Sequence, residues 1–367
     1  MSLDERFMRR ALELAERARG LTSPNPMVGA VVVLEGHVVG EGFHAAAGRP
    51  HAEIEALGAA GTQTRHATLY VTLEPCVHWG RTPPCAPAVV TAGVRRVVAA
   101  QQDPNPRVAG RGFATLREAG LEVSVGVLGH EAAEQNRTWI AAITHGRPHV
   151  TLKGAMTLDG RIADVDGESR WITTEAARLH AHRLRSEADA IVVGVNTVVR
   201  DDPRLTVRLE RPWPREPFRV VLDTNARTPA RAALIGAGAP DRALIAVGED
   251  APAERVRALE GAGATVLRVE KHQGRVAPGA VLAALWTREV RGVLVEGGGE
   301  IHDAFLAAGL VDRVALFVAP RLLGGRGAPT LVSGAGRPLK DAIRLGPLSV
   351  RHVGEDLLIE ADVVRGR

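Results

Sequence analysis

Segments with a helix-like apolar period alternate with strand-like segments along the entire chain, and this alternation confines the fold to the α/β class. In the first half the pattern predicts a helix over 4–19, strands over Ala30–Leu34 and Val38–Phe43, a helix over His51–Ala60 and a strand over Thr68–Leu73. A helix over Ala86–Ala92 and a strand over Arg96–Ala100 follow, then a helix over Gly112–Ala119, a strand over Glu122–Gly126 and a helix over 131–145. Gly146 and Pro148 disfavour continuing that last helix, so a domain boundary is expected there, giving domains 1–146 and 147–367. The second half opens on a strand, HVTLKGA, and further strand-like runs are AIVVGV, FRVVLD, ALIAVG, TVLRV, GVLVEGG and VALFVAP. Helical stretches at 174–187, 252–262, 278–287 and 300–308 separate them, which implies a mainly parallel sheet. The Pro- and Arg-rich stretch around Arg211–Pro217 reads as a loop.

The 367 residues are enough for two buried cores, and 45% hydrophobic with 24% charged residues is the balance of a globular protein. The 46 basic residues are interleaved with 42 acidic ones, leaving a net charge of +4. That suits phosphate-bearing small molecules and is too weak for a nucleic-acid track; aromatic residues, at 3%, are also too few for base stacking. The N-terminus is charged and amphipathic rather than signal-like, and no apolar run approaches bilayer-spanning length. A soluble cytoplasmic protein with no membrane association is expected. Its two cysteines, Cys76 and Cys85, should then remain thiols, a disulfide across their short loop being the bland alternative.

The sharpest local signal is Pro50-His51-Ala52-Glu53 followed by Glu74-Pro75-Cys76 and Pro83-Pro84-Cys85. One imidazole and two thiolates suit zinc and leave a fourth tetrahedral position for water, whose pKa such an ion lowers to about 7. Glu53, two residues from His51, is misplaced for a fourth ligand on a helix and reads as a proton shuttle. Cys85 should open a helix whose positive end favours a thiolate, with Pro87 tolerated in the first turn. The set follows the H-x-E…P-C-x-x-C pattern of zinc deaminases of bases, except that eight residues separate the cysteines instead of two.

The longer cysteine loop, Thr72-Leu73-Glu74-Pro75-Cys76-Val77-His78-Trp79-Gly80-Arg81-Thr82-Pro83-Pro84-Cys85, closely resembles the deaminase half of the bifunctional riboflavin biosynthesis RibD family. Ser23-Pro24-Asn25-Pro26, Gly42-Phe43-His44, Ala47 to Glu53, and Asp103-Pro104-Asn105-Pro106 leading to Gly112 share the resemblance. It implies Zn2+ on His51, Cys76 and Cys85, with Glu53 as catalytic proton carrier. Asn25, His44, His78 and the Asp103–Gly112 loop would line a pyrimidine pocket. The implied fold is a cytidine-deaminase-like three-layer α/β/α domain followed by a dihydrofolate-reductase-like α/β domain.

In the second half, Gly297-Gly298-Gly299-Glu300-Ile301-His302 lies after a strand and before a helix, where backbone amides cradle phosphate. It is not a Rossmann fingerprint: His302 replaces the third glycine and no acidic residue follows at ribose-binding distance. The reductase half of the same family is matched by Lys153 to Ala163, Ser169 to Thr173, His182 to Arg185, Val193 to Val198, Asp201 to Arg208 and Val221 to Thr224. The resemblance places NADPH against Ala155, Trp171, Thr197, Asp201, Thr224, Gly298, Gly299, Glu300, Ile301, His302, Asp303 and Ala304. It places the phosphoribosyl substrate against Ser169, Arg185, Leu205, Arg208 and Glu296, and Lys153 is a further cation with no fixed role.

Together these imply an N-terminal pyrimidine deaminase and a C-terminal NADPH-dependent reductase. The substrate would be 2,5-diamino-6-(5-phosphoribosylamino)pyrimidin-4-one, deaminated and then reduced from ribosyl to ribityl. The family also implies a homo-oligomer joined through the reductase half. A rival reading keeps a base deaminase and makes the second half structural; dinucleotide oxidation dependent on deaminated substrate separates the two.

Overall fold

Valine-rich runs flanked by helices on both sides have no face left for water, and they form the strands at the centre of each half. The computed structural model describes residues 1–365. They divide into two compact units, Met1–Gly146 and a second that starts at Arg147.

The first unit contains α1 (Leu3–Glu16), β1 (Gly29–Leu34), β2 (His37–Phe43), α2 (Ala52–Ala60), β3 (Thr68–Val71), α3 (Cys85–Thr91), β4 (Arg96–Ala99), α4 (Arg111–Glu118), β5 (Glu122–Val125), α5 (Gly129–Gln135) and α6 (Arg137–His145). A reciprocal cap starts α1: the Ser2 hydroxyl accepts from Glu5 N at 3.1 Å and Glu5 accepts from Ser2 N at 2.7 Å. The strands pair in the order β2-β1-β3-β4-β5, with β1 antiparallel to both neighbours and the rest parallel. Alternate residues take opposite faces. Ala30 and Val32 pack with Ala56 of α2, Val89 of α3, Phe113 of α4 and Trp139 of α6, whereas Val31 and Val33 pack with Met8 and Leu14 of α1. The result is three layers.

The helix expected over 131–145 is broken at Asn136. The buried Asn136 amide accepts from Met27 N and donates to Met27 O, both at 2.8 Å, so its side chain stands in for a pairing strand. Gly146, at φ 64°, ends α6 in the left-handed conformation glycine tolerates.

The second unit runs β6 (His149–Thr157), α7 (Glu175–Glu187), β7 (Ala190–Gly194), α8 (Val195–Asp201), β8 (Phe218–Leu222), α9 (Ala233–Gly236), β9 (Ala243–Gly248), α10 (Ala253–Gly261), β10 (Thr265–Val269), β11 (Lys271–His272), β12 (Arg275–Val276), α11 (Pro278–Trp286), β13 (Gly292–Val295), α12 (Gly299–Ala307), β14 (Arg313–Ala319), β15 (Arg344–Leu345), β16 (Ser349–Val353) and β17 (Asp356–Val364). The sheet order is β10-β9-β8-β7-β13-β6-β14-β17-β15, and every pairing from β10 to β14 is parallel. Val192, Val220 and Val295 pack under α11 and α12 on one face; Ile191, Val221 and Ile245 pack under α10 on the other. Beyond β14 the sheet turns antiparallel, with β15 and β16 both on the outer side of β17.

Candidate active sites

His51 is the last extended residue before α2 and Cys85 the first residue of α3, while Cys76 lies in the loop after β3. His51 Nδ1 lies 3.2 Å from Cys85 Sγ and 3.6 Å from Cys76 Sγ, and all three ligand atoms fall within 4.8 Å of one another. Tetrahedral zinc with ordinary Zn–N and Zn–S bonds separates N and S by roughly 3.6 Å. The donor set therefore fits that ion without rearrangement. Both cysteines are free, which removes the disulfide alternative. Hydrogen bonding between the sulfurs pulls the Cys76 thiol pKa well down and pushes that of Cys85 up, so one thiolate forms readily. His51 Nε2 meets the Thr82 hydroxyl at 3.0 Å, which leaves Nδ1 as the ligand atom.

Glu53, in the first turn of α2, is buried, and that burial pushes its carboxyl up to about 7, Cys76 adding to the effect. Its side chain hydrogen-bonds Cys85, which puts the carboxyl at the edge of the donor set. Asn25 Nδ2 lies 3.0 Å from His44 Nε2, His44 Nδ1 lies 3.1 Å from Pro50 O, and the His44 ring stands edge-on to His51 with centroids 5.1 Å apart. Burial pushes Asp103 up to about 7. His78 is half-buried, with Nδ1 lacking a protein partner.

The Asp103–Gly112 loop is held by a residue to which the sequence assigned no role of its own. The buried Glu74 carboxylate accepts four backbone N–H groups: Asp103 at 3.1 Å, Gly110 at 3.0 Å, Gly112 at 2.8 Å and Phe113 at 3.3 Å. It sits at the N-terminus of α4, where negative charge is favoured. A Cβ at Gly112 would meet Pro75 O at 2.1 Å, so only glycine permits this approach.

In the second unit a cavity of about 880 Å³ lies along β6 and beyond the ends of β7, β8 and β13. Ala155, Trp171, Thr197, Asp201 and Thr224 line it, as do Ser169 and Glu296. Gly298, Gly299, Glu300, Ile301, His302 and Ala304 complete the part anticipated from sequence. Four expected residues do not line it: Asp303, which pairs with Arg337 at 3.1 Å, and Arg185, Leu205 and Arg208. No side chain caps the start of α12, so its first N–H groups are left for a ligand. A Cβ at Gly299 would come within 2.2 Å of Ser333 Oγ, which explains the glycine. An open helix start in a cleft of this size fits a dinucleotide.

Arg185 grips Glu296 through two bonds of 2.7 and 2.8 Å and donates to Thr206 O at 3.1 Å. Burial opposes ionisation of Glu296, but Arg185, with Lys153 4.0 Å away, holds its carboxyl down at about 2. Burial likewise pushes the Lys153 pKa down. Burial and Arg185 push His182 down to about 4, and its Nδ1 accepts the Arg208 N–H at 3.1 Å. His182 is the second residue that sequence reasoning left without a role. Its place in the His182–Arg185 run is the one signal the sequence carries for it.

A three-layer unit with one histidine and two cysteines around a zinc-sized gap, beside a buried glutamate, defines a zinc-dependent deaminase; here it is joined to a dinucleotide-cleft α/β unit. Residues 1–101 match the cytidine and deoxycytidylate deaminase zinc-binding region, and residues 148–359 match the RibD C-terminal domain. The chain is 43% identical over 357 residues to the riboflavin biosynthesis protein RibD of Aquifex aeolicus, covering 97% of this chain and 98% of that one. The RibD structure from Acinetobacter baumannii superposes with a TM-score of 0.90 at 38% identity, covering 99% of both chains. A diaminohydroxyphosphoribosylaminopyrimidine deaminase/5-amino-6-(5-phosphoribosylamino)uracil reductase from Thermotoga maritima gives 0.85 at 35% identity, again over 99% of both. The chain belongs to the RibD family, and is a bifunctional deaminase and reductase of riboflavin biosynthesis.

Proposed function

We propose that the first site deaminates 2,5-diamino-6-(5-phosphoribosylamino)pyrimidin-4-one and that the second reduces the ribosyl group of the resulting 5-amino-6-(5-phosphoribosylamino)uracil. The observation that carries this reading is the convergence of His51, Cys76 and Cys85 beside the buried Glu53. Those three would hold Zn2+, which when bound activates water for attack on the amino-bearing carbon. Glu53, buried beside the donor set, would take a proton from the attacking water and pass it to the ring nitrogen, then take a second from the hydroxyl of the adduct and pass it to the departing amine, so that ammonia leaves. Asn25, His44, His78 and the loop fixed by Glu74 orient the pyrimidine.

In the second unit Ala155, Trp171, Thr197, Asp201, Thr224 and the start of α12 hold NADPH, the hydride source. Arg185 is committed to Glu296, so its part is to fix that carboxylate beside the reacting sugar. Ser169 and Arg208 then bind the phosphate, with His182 holding the Arg208 backbone. Among the described residues no helix is long and apolar enough to cross a membrane, and we place the protein in the cytoplasm. Exposed Leu345 of β15, Leu348 before β16, Val350 of β16 and Val364 at the end of β17 support self-association through the second unit.

Replacing Glu53→Gln tests the assignment. Ammonia release should be lost while zinc stays bound, and NADPH oxidation on the deaminated intermediate should be unchanged. Loss of both activities together, or a fully active preparation free of metal, would overturn it.

A further inference from the structure

Base deaminases of the H-x-E…P-C-x-x-C pattern set two residues between their cysteines, whereas this chain sets eight between Cys76 and Cys85. The neck of the longer loop is closed by the cysteines and the residue after them: Ala86 N donates to Cys76 O at 3.0 Å and Cys85 N to Cys76 Sγ at 3.4 Å. Beyond Val77, which packs on the core, the extension does not serve packing. Trp79 is 75% exposed, and Gly80, Arg81 and Pro83 are exposed beside it. A loop that carries a large apolar side chain to the surface needs another reason for its length.

Thr82 supplies that reason. It is half-buried, and its hydroxyl lies 3.0 Å from His51 Nε2. On the opposite side of the same ring, His51 Nδ1 lies 3.2 Å from Cys85 Sγ. Thr82 and Cys85 are the two ends of Thr82-Pro83-Pro84-Cys85, so one short segment holds the imidazole at both nitrogens. The prolines make that segment stiff, since each fixes its own φ and bars the residue before it from helical backbone. Pro84, at φ −66° and ψ 142°, has the extended proline conformation. Three residues in that conformation cover roughly 9 Å, the span of an imidazole with a contact on either side. At the outer end, Gly80 N donates to Thr82 O at 3.2 Å.

A histidine that ligates a metal through Nδ1 is neutral and carries its proton on Nε2, where it needs an acceptor. The ring's other near neighbour, His44, stands edge-on at 5.1 Å with its own nitrogens turned to Asn25 and to Pro50 O. The Thr82 oxygen is placed to accept instead. A carboxylate there would add negative charge beside two thiolates and blunt the acidity that the ion gives to water; a hydroxyl orients the ring and leaves that acidity intact. We infer that Thr82 is a positioning residue of the metal site, and that the long cysteine loop serves to set its hydroxyl against His51 Nε2 and so aim Nδ1 at the ion. This rests on the zinc reading given above.

Competition for zinc between the full chain and a chromophoric chelator tests the inference without relying on turnover. Thr82→Val keeps the branched shape and removes the hydroxyl; it should weaken zinc binding at least about tenfold, the scale of losing an outer partner of a metal-bound histidine. Thr82→Ser keeps the hydroxyl and should bind zinc nearly as tightly as wild type. Urea unfolding of the metal-free proteins should give one midpoint for the first unit in all three, which separates aim from folding. With Co2+ in place of zinc, the visible ligand-field bands should shift in Thr82→Val and not in Thr82→Ser. Unchanged zinc affinity or unshifted bands in Thr82→Val overturn the inference. An equal loss in Thr82→Ser overturns it by assigning the effect to shape, and a matching fall in the metal-free midpoint overturns it by assigning the effect to folding. In each of those cases wild type still holds zinc. Wild type that binds none sinks the zinc reading itself.

Discussion

Glu74 shows how a single buried carboxylate organises a site it does not enter. Its four backbone donors come from positions 29 to 39 residues later in the chain, and they fix the Asp103–Gly112 loop against the segment that carries Cys76. In Glu74→Gln one oxygen becomes an NH2 group, which faces two N–H donors instead of accepting from them. We expect the first unit to lose about 2–4 kcal/mol in urea unfolding, since bonds to a charged acceptor contribute about 1.5–3 kcal/mol each. The KM for deamination should rise with zinc content unchanged, and the reductase should be unaffected. An unchanged KM would show that the loop does not need this anchor. The zinc ligands and Glu53 were legible because their chemistry resides in side chains at recognisable spacing. Glu74 stands in the same motif, but its partners are backbone amides, which leave no mark in a sequence.

Strands buried on both faces and amphipathic helices were legible at the level of elements; those that depend on a distant partner were not. The break between α5 and α6 exists because Asn136 reaches Met27, a contact across 109 residues. Strands β15 and β16 escaped notice because they are almost wholly exposed and show no buried alternation. Elements are also tied at their ends by charge. Asp312, just before β14, accepts from Arg147 at 2.8 and 2.9 Å and from Val150 N, at the start of β6, at 2.8 Å. Burial opposes its ionisation, but these donors prevail and hold the carboxyl below its ordinary value of 3.8. Since the folded pKa is the lower one, the ionised pair stabilises the fold above about pH 4, and that stabilisation is lost as pH falls through the folded value. Asp312→Asn should cost the second unit about 2 kcal/mol at neutral pH. Urea titrations at several pH values should show the gap to wild type closing in acid; a gap constant with pH would assign the cost to packing.

Each unit of the molecule carries a whole site on its own core, so the two activities are expected to respond separately to substitution. The bipartite α/β plan could be read from alternating patterns, and the two activities from motifs in each half. Which expected residues share the reductase cleft, and that Arg185 is spent on Glu296, emerged only from side-chain geometry. At this scale the exposed apolar edge of the second unit makes its own prediction. Light scattering should find an oligomer, and Leu348→Lys with Val350→Lys should reduce it to monomer with deaminase activity retained. A monomeric wild type would rule out the proposed assembly.

All three metal donors are in hand by residue 85, and the core around them closes within the first 146 residues. During synthesis, then, the deaminase half can leave the ribosome as a finished metal trap while the cofactor cleft is still unmade. The order in which the chain emerges matches the order in which its two reactions must run.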